Sequence, residues 1–466
     1  MKFDFAINTT CHPKDHNQEK EFSSRLGTIT ITKSLKSKEN NQQKISIETP
    51  NCIRYTRNGL IPHLLPDIEE DLTTNSINLI VIEHFLEKDT PASVYYDEGI
   101  HKYVGMNEET KIVLLDALDP TIVLRTRSKP SNKYLPAETS GGLRRVTPEI
   151  YSQILKTHKP DIYVTLADYI FSSKEELEKG KRIEKSVSRT LKWYDECDVD
   201  QISEDSGVFI PLMGSINKHQ RTLYAQKISE KKFDGVVICD HGIKIDILEQ
   251  LELAKQSLEH IDHSKLRYML GFSSPDEILL GIHNGMDLFL STYPYAVTEQ
   301  GFASLYKFDI SENTTELGAD NSTILDLWNE SMRDDFGPIV KGCECYACKN
   351  HTRAYINHLL NTQEMLATVL LQIHNQYTYE KFFEDIRKSI SEQNFFEKSK
   401  AFLSFYGSKF HNVFCGKKEG ESSLEVSDKK YPFRELEMFD PRLSTPTTKE
   451  KIKRFDLSES NNNLSV

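Results

Sequence analysis

The chain has 466 residues, 38% apolar and 27% charged, and its 58 Lys and Arg against 70 Asp and Glu leave a formal charge of −12. At roughly 100–200 residues per domain, this length holds a large domain with an appendage, or two to three modules, each with a sizeable core. The acidic balance excludes a protein that grips nucleic acid over its whole surface, though not one local basic face, and no apolar run reaches the roughly 18–20 residues of a membrane span.

The N-terminus, Met1-Lys2-Phe3-Asp4, has neither the basic flank nor the apolar region of a secretory signal. Eight cysteines, few and unevenly spread, predict reduced thiols in a cytosolic protein rather than a disulfide framework. In chain order, strands are expected at Ile77–Phe85, Lys111–Asp116, Asp161–Asp168, Val208–Gly214, Gly235–Asp240, Tyr268–Phe272 and Leu288–Tyr293. Their cores, such as Ile112-Val113-Leu114-Leu115, are continuous apolar runs, the pattern of strands buried on both faces. Amphipathic helices are expected between them at Thr147–His158, Lys174–Tyr194, Lys218–Lys231 and Ile243–Glu259, the first with Thr147 as cap and Pro148 at the first helical position. Seven or more βα units over this length favour a (β/α)8 barrel, an α/β fold. No Gly-x-Gly-x-x-Gly turn follows any of these strands, so a dinucleotide fold has little support.

The barrel body is expected to span residues 1–340, with a polar surface insertion at Ser311–Thr323. A metal-binding subdomain with closing helices follows at 341–415, and the polar stretch 416–466 is expected to be a mostly disordered tail. Chemistry concentrates in Cys343-Glu344-Cys345-Tyr346-Ala347-Cys348, three of the eight cysteines within six residues. In a reducing compartment, such crowding points to thiolates sharing a metal, and three thiolates need one more ligand to close a tetrahedral zinc site. His351, His358 and His374 are the downstream candidates. His351 lies so close to Cys348 that it would strain the loop, whereas His374 ends a helical pattern from about Thr352 to Ile373 that can double back. A Cys3His set has no open position, so the zinc it implies is structural. Three unrelated buried thiols, a redox pair, or His374 as a helix-surface residue are the alternatives.

The cysteine cluster, the stretch His351-Thr352-Arg353-Ala354-Tyr355-Ile356-Asn357-His358-Leu359 and Ile373-His374-Asn375 resemble the zinc subdomain of the tRNA-guanine transglycosylases. Arg267-Tyr268-Met269-Leu270-Gly271, Gly285-Met286-Asp287-Leu288-Phe289, Phe233-Asp234-Gly235 and Val146-Thr147-Pro148-Glu149 resemble the same family, in order, over roughly residues 20–400. The resemblance implies a (β/α)8 TIM barrel with one structural Zn2+ held by Cys343, Cys345, Cys348 and His374. It also implies a part in exchanging the wobble guanine of tRNAs with GUN anticodons for a modified base, queuine in eukaryotes, the reaction that leads to queuosine. In catalytic members an aspartate attacks the ribose carbon, a covalent step that needs a carboxylate at one fixed position. Where that aspartate is expected, this chain has Leu290, in Leu288-Phe289-Leu290-Ser291-Thr292-Tyr293-Pro294. The family's Asp-Ser-Gly-Gly-Phe-Gln becomes Asp116-Ala117-Leu118-Asp119-Pro120, and its base-cradling Gly-Gly loop becomes Asp240-His241-Gly242.

Eukaryotic members come as a catalytic and a non-catalytic accessory subunit. Thr49-Pro50-Asn51-Cys52-Ile53-Arg54-Tyr55-Thr56-Arg57, Pro62-His63-Leu64 and Tyr293-Pro294-Tyr295-Ala296-Val297-Thr298-Glu299 resemble the accessory branch. That branch implies no catalytic residue, a heterodimer with the catalytic subunit, tRNA as a shared partner and a cytoplasmic location. For the family's eukaryotic complex it also implies a peripheral place at the mitochondrial outer membrane. The alternative is an independently active enzyme using Asp287, Asp116 or Asp168 as replacement carboxylate. Lys179, Lys181, Arg182, Lys185, Arg189 and Lys192 form either a phosphate-facing strip or a solvated helix face.

Overall fold

A computed structural model describes residues 1–12, 23–34, 42–70, 72, 75–121, 129–139, 141–170, 180–197, 199–202, 205–239, 246–310, 321–408 and 410–414. The expected tail, most of the insertion, Asp240-His241-Gly242, Lys179 and the first residues of the expected helix at Lys174–Tyr194 lie outside them.

Three antiparallel strands come first, β1 (Lys2–Cys11), β2 (Ser24–Ser34) and β3 (Gln42–Thr49). The barrel follows: β4 (Asn51–Tyr55), β5 (Ser76–Val81), β6 (Lys111–Asp116), a side hairpin of β7 (Leu135–Thr139) and β8 (Gly142–Val146), then β9 (Ile162–Val164), β10 (Gly207–Pro211), β11 (Gly235–Ile238), β12 (Leu266–Met269) and β13 (Leu288–Leu290). Eight of these close in the order β10-β11-β12-β13-β4-β5-β6-β9, all parallel, with β13 meeting β4 at Leu288–Asn51 and Leu290–Ile53. The fold is therefore a (β/α)8 barrel. Seven of its strands are those the apolar runs predict; Lys111–Asp116 keeps its expected bounds and the other six end earlier than expected, where the chain turns into loops. After Val81, for example, the chain winds into a 3-10 turn, Ile82–Phe85.

The eighth strand, β4, carries no apolar run because Arg54 interrupts it. Arg54 is buried, yet it is paired with Glu380 at 2.7 Å and Glu69 at 3.1 Å, which is how a cation survives in a core. The N-terminal sheet is also absent from the sequence expectation, although Phe3, Phe5 and Ile7 alternate with the exposed Lys2, Asp4, Ala6 and Asn8. It covers the N-terminal end of the barrel. The Phe3 ring meets Phe209 edge-on at 6.1 Å, and a Cβ on Gly207 would come within 2.8 Å of the Phe3 ring.

The longer helices are α1 (Pro148–His158), α2 (Lys181–Glu196), α3 (Lys218–Ser229), α4 (Ile247–Leu258), α5 (Pro275–His283), α6 (Thr292–Glu299), α7 (Arg353–Asn361), α8 (Met365–Ser391) and α9 (Phe395–Phe405). Thr147 caps α1 by accepting from Ile150 N, and Asn217 and Asp246 cap α3 and α4. The continuous helical pattern expected from Thr352 to Ile373 is two helices instead. The chain breaks between them at Gln363, whose φ of 59° is left-handed. His374 consequently lies well inside α8 rather than at a helix end.

A second, smaller core gathers Ile61 and Leu64 from the loop after β4, Ala303 and Leu305, Ile339 and Val340, and the apolar faces of α7 and α8. It includes the antiparallel pair β14 (Phe302–Ser304) and β15 (Ile324–Asp326). Among the described residues no helix is long and apolar enough to cross a membrane.

Candidate metal centre and barrel mouth

Cys343, Cys345 and Cys348 come from the loop and short helical turn (Tyr346–Asn350) that precede α7, and α8 returns His374 to them. The three Sγ atoms and one imidazole nitrogen lie within 4.8 Å of one another. His374 Nδ1 is 3.8, 3.5 and 3.4 Å from the sulfurs of Cys343, Cys345 and Cys348. Tetrahedral donors about 2.0–2.3 Å from a zinc ion would stand roughly 3.5–4 Å apart, so the residues fit the metal. His374 Nε2 donates to the Ser304 carbonyl at 2.8 Å, which leaves Nδ1 with its lone pair toward the sulfurs. The next residue, Asn375, accepts from Ser304 N at 2.8 Å and donates to Thr298 Oγ1 and Phe302 O, so β14 is clamped on both sides of that carbonyl.

The thiols are too close to ionise independently. Hydrogen bonding from Cys345 and Cys348 holds Cys343 far below the usual thiol range, and the same interaction with Cys343 pushes Cys345 far above it. A divalent cation relieves this by replacing the shared protons. His351 and His358 are not in the cluster: His351 stacks on Tyr355 at 5.3 Å, and His358 is exposed. Four protein donors fill a tetrahedron and leave no position for water or substrate. Of the other cysteines described, Cys11, Cys52, Cys197 and Cys239 are buried and unbridged.

At the barrel mouth the C-terminal ends of the strands converge, the usual place for barrel chemistry. Leu290 ends β13 there, packed in the main core and 4% exposed. Asp287 lies at the opposite end, before β13, where Arg25 grips it with bonds of 2.7 and 2.5 Å and Arg267 N donates at 2.7 Å. Asp168 is fully buried and bound by Arg182 at 2.7 and 2.5 Å and by Arg189. Asp116 ends β6, accepts from Ala117 N at 2.6 Å, and sits among buried tyrosines. Burial, and then the Asp116 charge, pushes the Tyr268 phenol well up.

The mouth also holds a polar network that joins Tyr55 and Asp119, from two of the stretches above, to His84, which no sequence motif announces. Asp119 Oδ2 accepts from Tyr55 OH and meets His84 Nε2, both at 2.8 Å. Burial raises the Asp119 carboxyl, but hydrogen bonding from His84 and Thr121 outweighs it and holds the group below its usual range. Tyr295 stacks beside Tyr55 at 5.7 Å, and His63 meets Glu299 at 2.5 Å. The three accessory-branch stretches, two of them near residues 49–64 and the third at 293–299, therefore meet at the mouth. Their spacing alone carries no signal of that meeting.

An eight-stranded parallel barrel flanked by a small core with a Cys3His cluster defines the class, a TIM-barrel protein with a candidate zinc site. The family model described as queuine tRNA-ribosyltransferase matches residues 21–408, and the chain belongs to that family. Similar proteins include the queuine tRNA-ribosyltransferase accessory subunit 2 of Aedes aegypti, 30% identical over 79% of this chain and 87% of that protein. The human protein of the same name is 30% identical over 74% and 90%, and that of Anopheles gambiae 28% identical over 84% and 88%.

Proposed function

We propose that this chain is the non-catalytic subunit of a heterodimeric queuine tRNA-ribosyltransferase, acting in the cytoplasm as a scaffold for the catalytic subunit and for tRNA. The pair exchanges guanine for queuine at the wobble position of tRNAs with GUN anticodons. The observation that carries this is Leu290. By resemblance it stands at the nucleophile's position, and a leucine packed into the core has no lone pair for a ribose carbon. The names of the relatives support the same assignment. Independent catalysis by a replacement carboxylate has less support. Asp287 is at the wrong end of the barrel, Asp168 is neutralised by two arginines, and Asp116 stands among buried phenols.

In this proposal Cys343, Cys345, Cys348 and His374 hold one structural Zn2+, which ties the loop of residues 343–348 to α8 and β14. The subdomain of residues 341–415 follows a barrel body of 1–340, with 416–466 as a tail. The smaller core carries Phe336, Tyr346, Tyr355, Met365 and Leu366 exposed on its surface, Met365 at 85% and Phe336 at 76%. Large apolar side chains grouped on one unit suit a partner surface. The expected outcome of co-expression with the catalytic subunit is a one-to-one complex by light scattering. A Phe336→Asp, Met365→Asp variant that keeps its zinc should fail to form it. A variant complex of unchanged affinity would place the partner elsewhere.

A further inference from the structure

We propose that a basic rim beside the barrel mouth binds the phosphate backbone of RNA; this rests on the scaffold function above and names the surface that serves it. The rim is built from three elements that touch one another directly. Lys129 and Lys133 are exposed on the segment before β7, where Ser131 Oγ accepts from the backbone N–H groups of Lys133 and Tyr134 at 3.1 and 3.2 Å and sets the turn. Arg145, exposed on β8, lies over the Tyr134 ring with its guanidinium carbon 5.2 Å from the ring centre. From α2, Arg189 donates to Asn132 Oδ1 at 3.2 and 3.0 Å, which fixes the lysine-bearing segment against the helix.

Among the described residues, the positive charge of the rim is not cancelled. Arg182 and Arg189 share the single buried carboxylate of Asp168, leaving one net positive charge on that trio. This also changes the meaning of the α2 basic residues. Two of them, Arg182 and Arg189, bind Asp168, and Lys192 pairs with Glu196 at 3.1 Å, while Lys181 and Lys185 are exposed on the helix. Among the described residues, the neighbouring carboxylates are Asp89, whose Oδ1 accepts from Arg145 N at 3.1 Å, Glu138, half-buried on β7, and Glu184, exposed on α2. Against a chain of charge −12, a rim of Lys129, Lys133, Arg145, Arg182 and Arg189 is a local reversal of sign.

Its position suits a polyanion rather than the protein partner. The rim follows β6 and β9, whereas the exposed apolar surface belongs to the smaller core, which packs beside β13 and β4. In strand order β5 separates the two regions, so the rim and the apolar surface are distinct. A hydrogen-bonded turn presenting lysines, next to a guanidinium over an aromatic ring, is a surface for phosphates and unstacked bases.

The test uses the complex with the catalytic subunit and a tRNA bearing a GUN anticodon, its affinity measured from 50 to 200 mM salt. A Lys129→Glu, Lys133→Glu, Arg145→Glu variant should bind about tenfold or more weakly. Its salt slope should be shallower by roughly 2, since each phosphate that is no longer neutralised removes about 0.7–0.9. The neutral Lys129→Gln, Lys133→Gln pair should show a smaller loss in the same direction, with zinc and the complex intact. Unchanged affinity and slope in an intact complex overturn the proposal. So does a variant that loses the catalytic subunit while keeping tRNA affinity, which would assign the rim to a protein. If the wild-type complex binds tRNA no better than the catalytic subunit alone, the scaffold function itself fails, a result the variants cannot produce.

Discussion

Asp287 shows how a residue's chemistry follows from its end of the strand. Its carboxylate is fully buried, and the bidentate Arg25 guanidinium that also bonds the carbonyls of His263 and Lys265 makes it a clasp between the N-terminal sheet and the barrel floor. Removing one member of such a pair strands the other charge. Arg25→Ala should therefore destabilise the chain by roughly 3–5 kcal/mol in urea unfolding without altering its zinc content. His158 is a second buried group with a measurable signature. Its Nε2 meets Ser93 Oγ at 2.9 Å, and burial holds the imidazole down at about 4 against a usual 6.5. The folded chain keeps it neutral while the unfolded chain takes up a proton below about 6.5. Stability should thus be fully present above pH 6.5 and be lost as pH falls toward 4, by up to about 3 kcal/mol. Unfolding free energies at pH 7 and pH 5 should differ less in His158→Gln than in the wild type.

At the level of elements, legibility follows burial pattern. Seven barrel strands are legible because strands covered on both faces are continuous apolar runs, whereas β4 is hidden by Arg54, whose burial depends on Glu69 and Glu380 from distant segments. The α7–α8 break is hidden because periodicity runs through Gln363 almost unchanged and only its backbone turns. The Cys3His cluster is legible as a candidate metal site, since three thiols within six residues repel one another as thiolates unless a cation joins them, but the groups that aim His374 are tertiary. Ser304 and Asn375 orient the imidazole from β14 and α8. Cys345→Ser should lose the metal. Asn375→Ala should keep it with about tenfold weaker affinity in chelator competition and, in the Co2+-loaded protein, a shifted visible spectrum. An unchanged spectrum and affinity would show that β14 holds His374 without Asn375.

At the scale of the molecule, the proposed division of labour explains why an acidic chain can serve a nucleic-acid reaction. The apolar surface of the smaller core takes the partner, a local basic rim takes phosphate, and the barrel mouth is occupied by its own Tyr55, Asp119 and His84. Such a chain contributes position rather than bond-making. Exchange of labelled guanine or queuine into tRNA, measured with this chain alone, with the catalytic subunit alone, and with both, separates a scaffold from an enzyme. A scaffold gives no exchange on its own, and exchange then depends on the pair. Exchange by this chain alone would contradict the scaffold function.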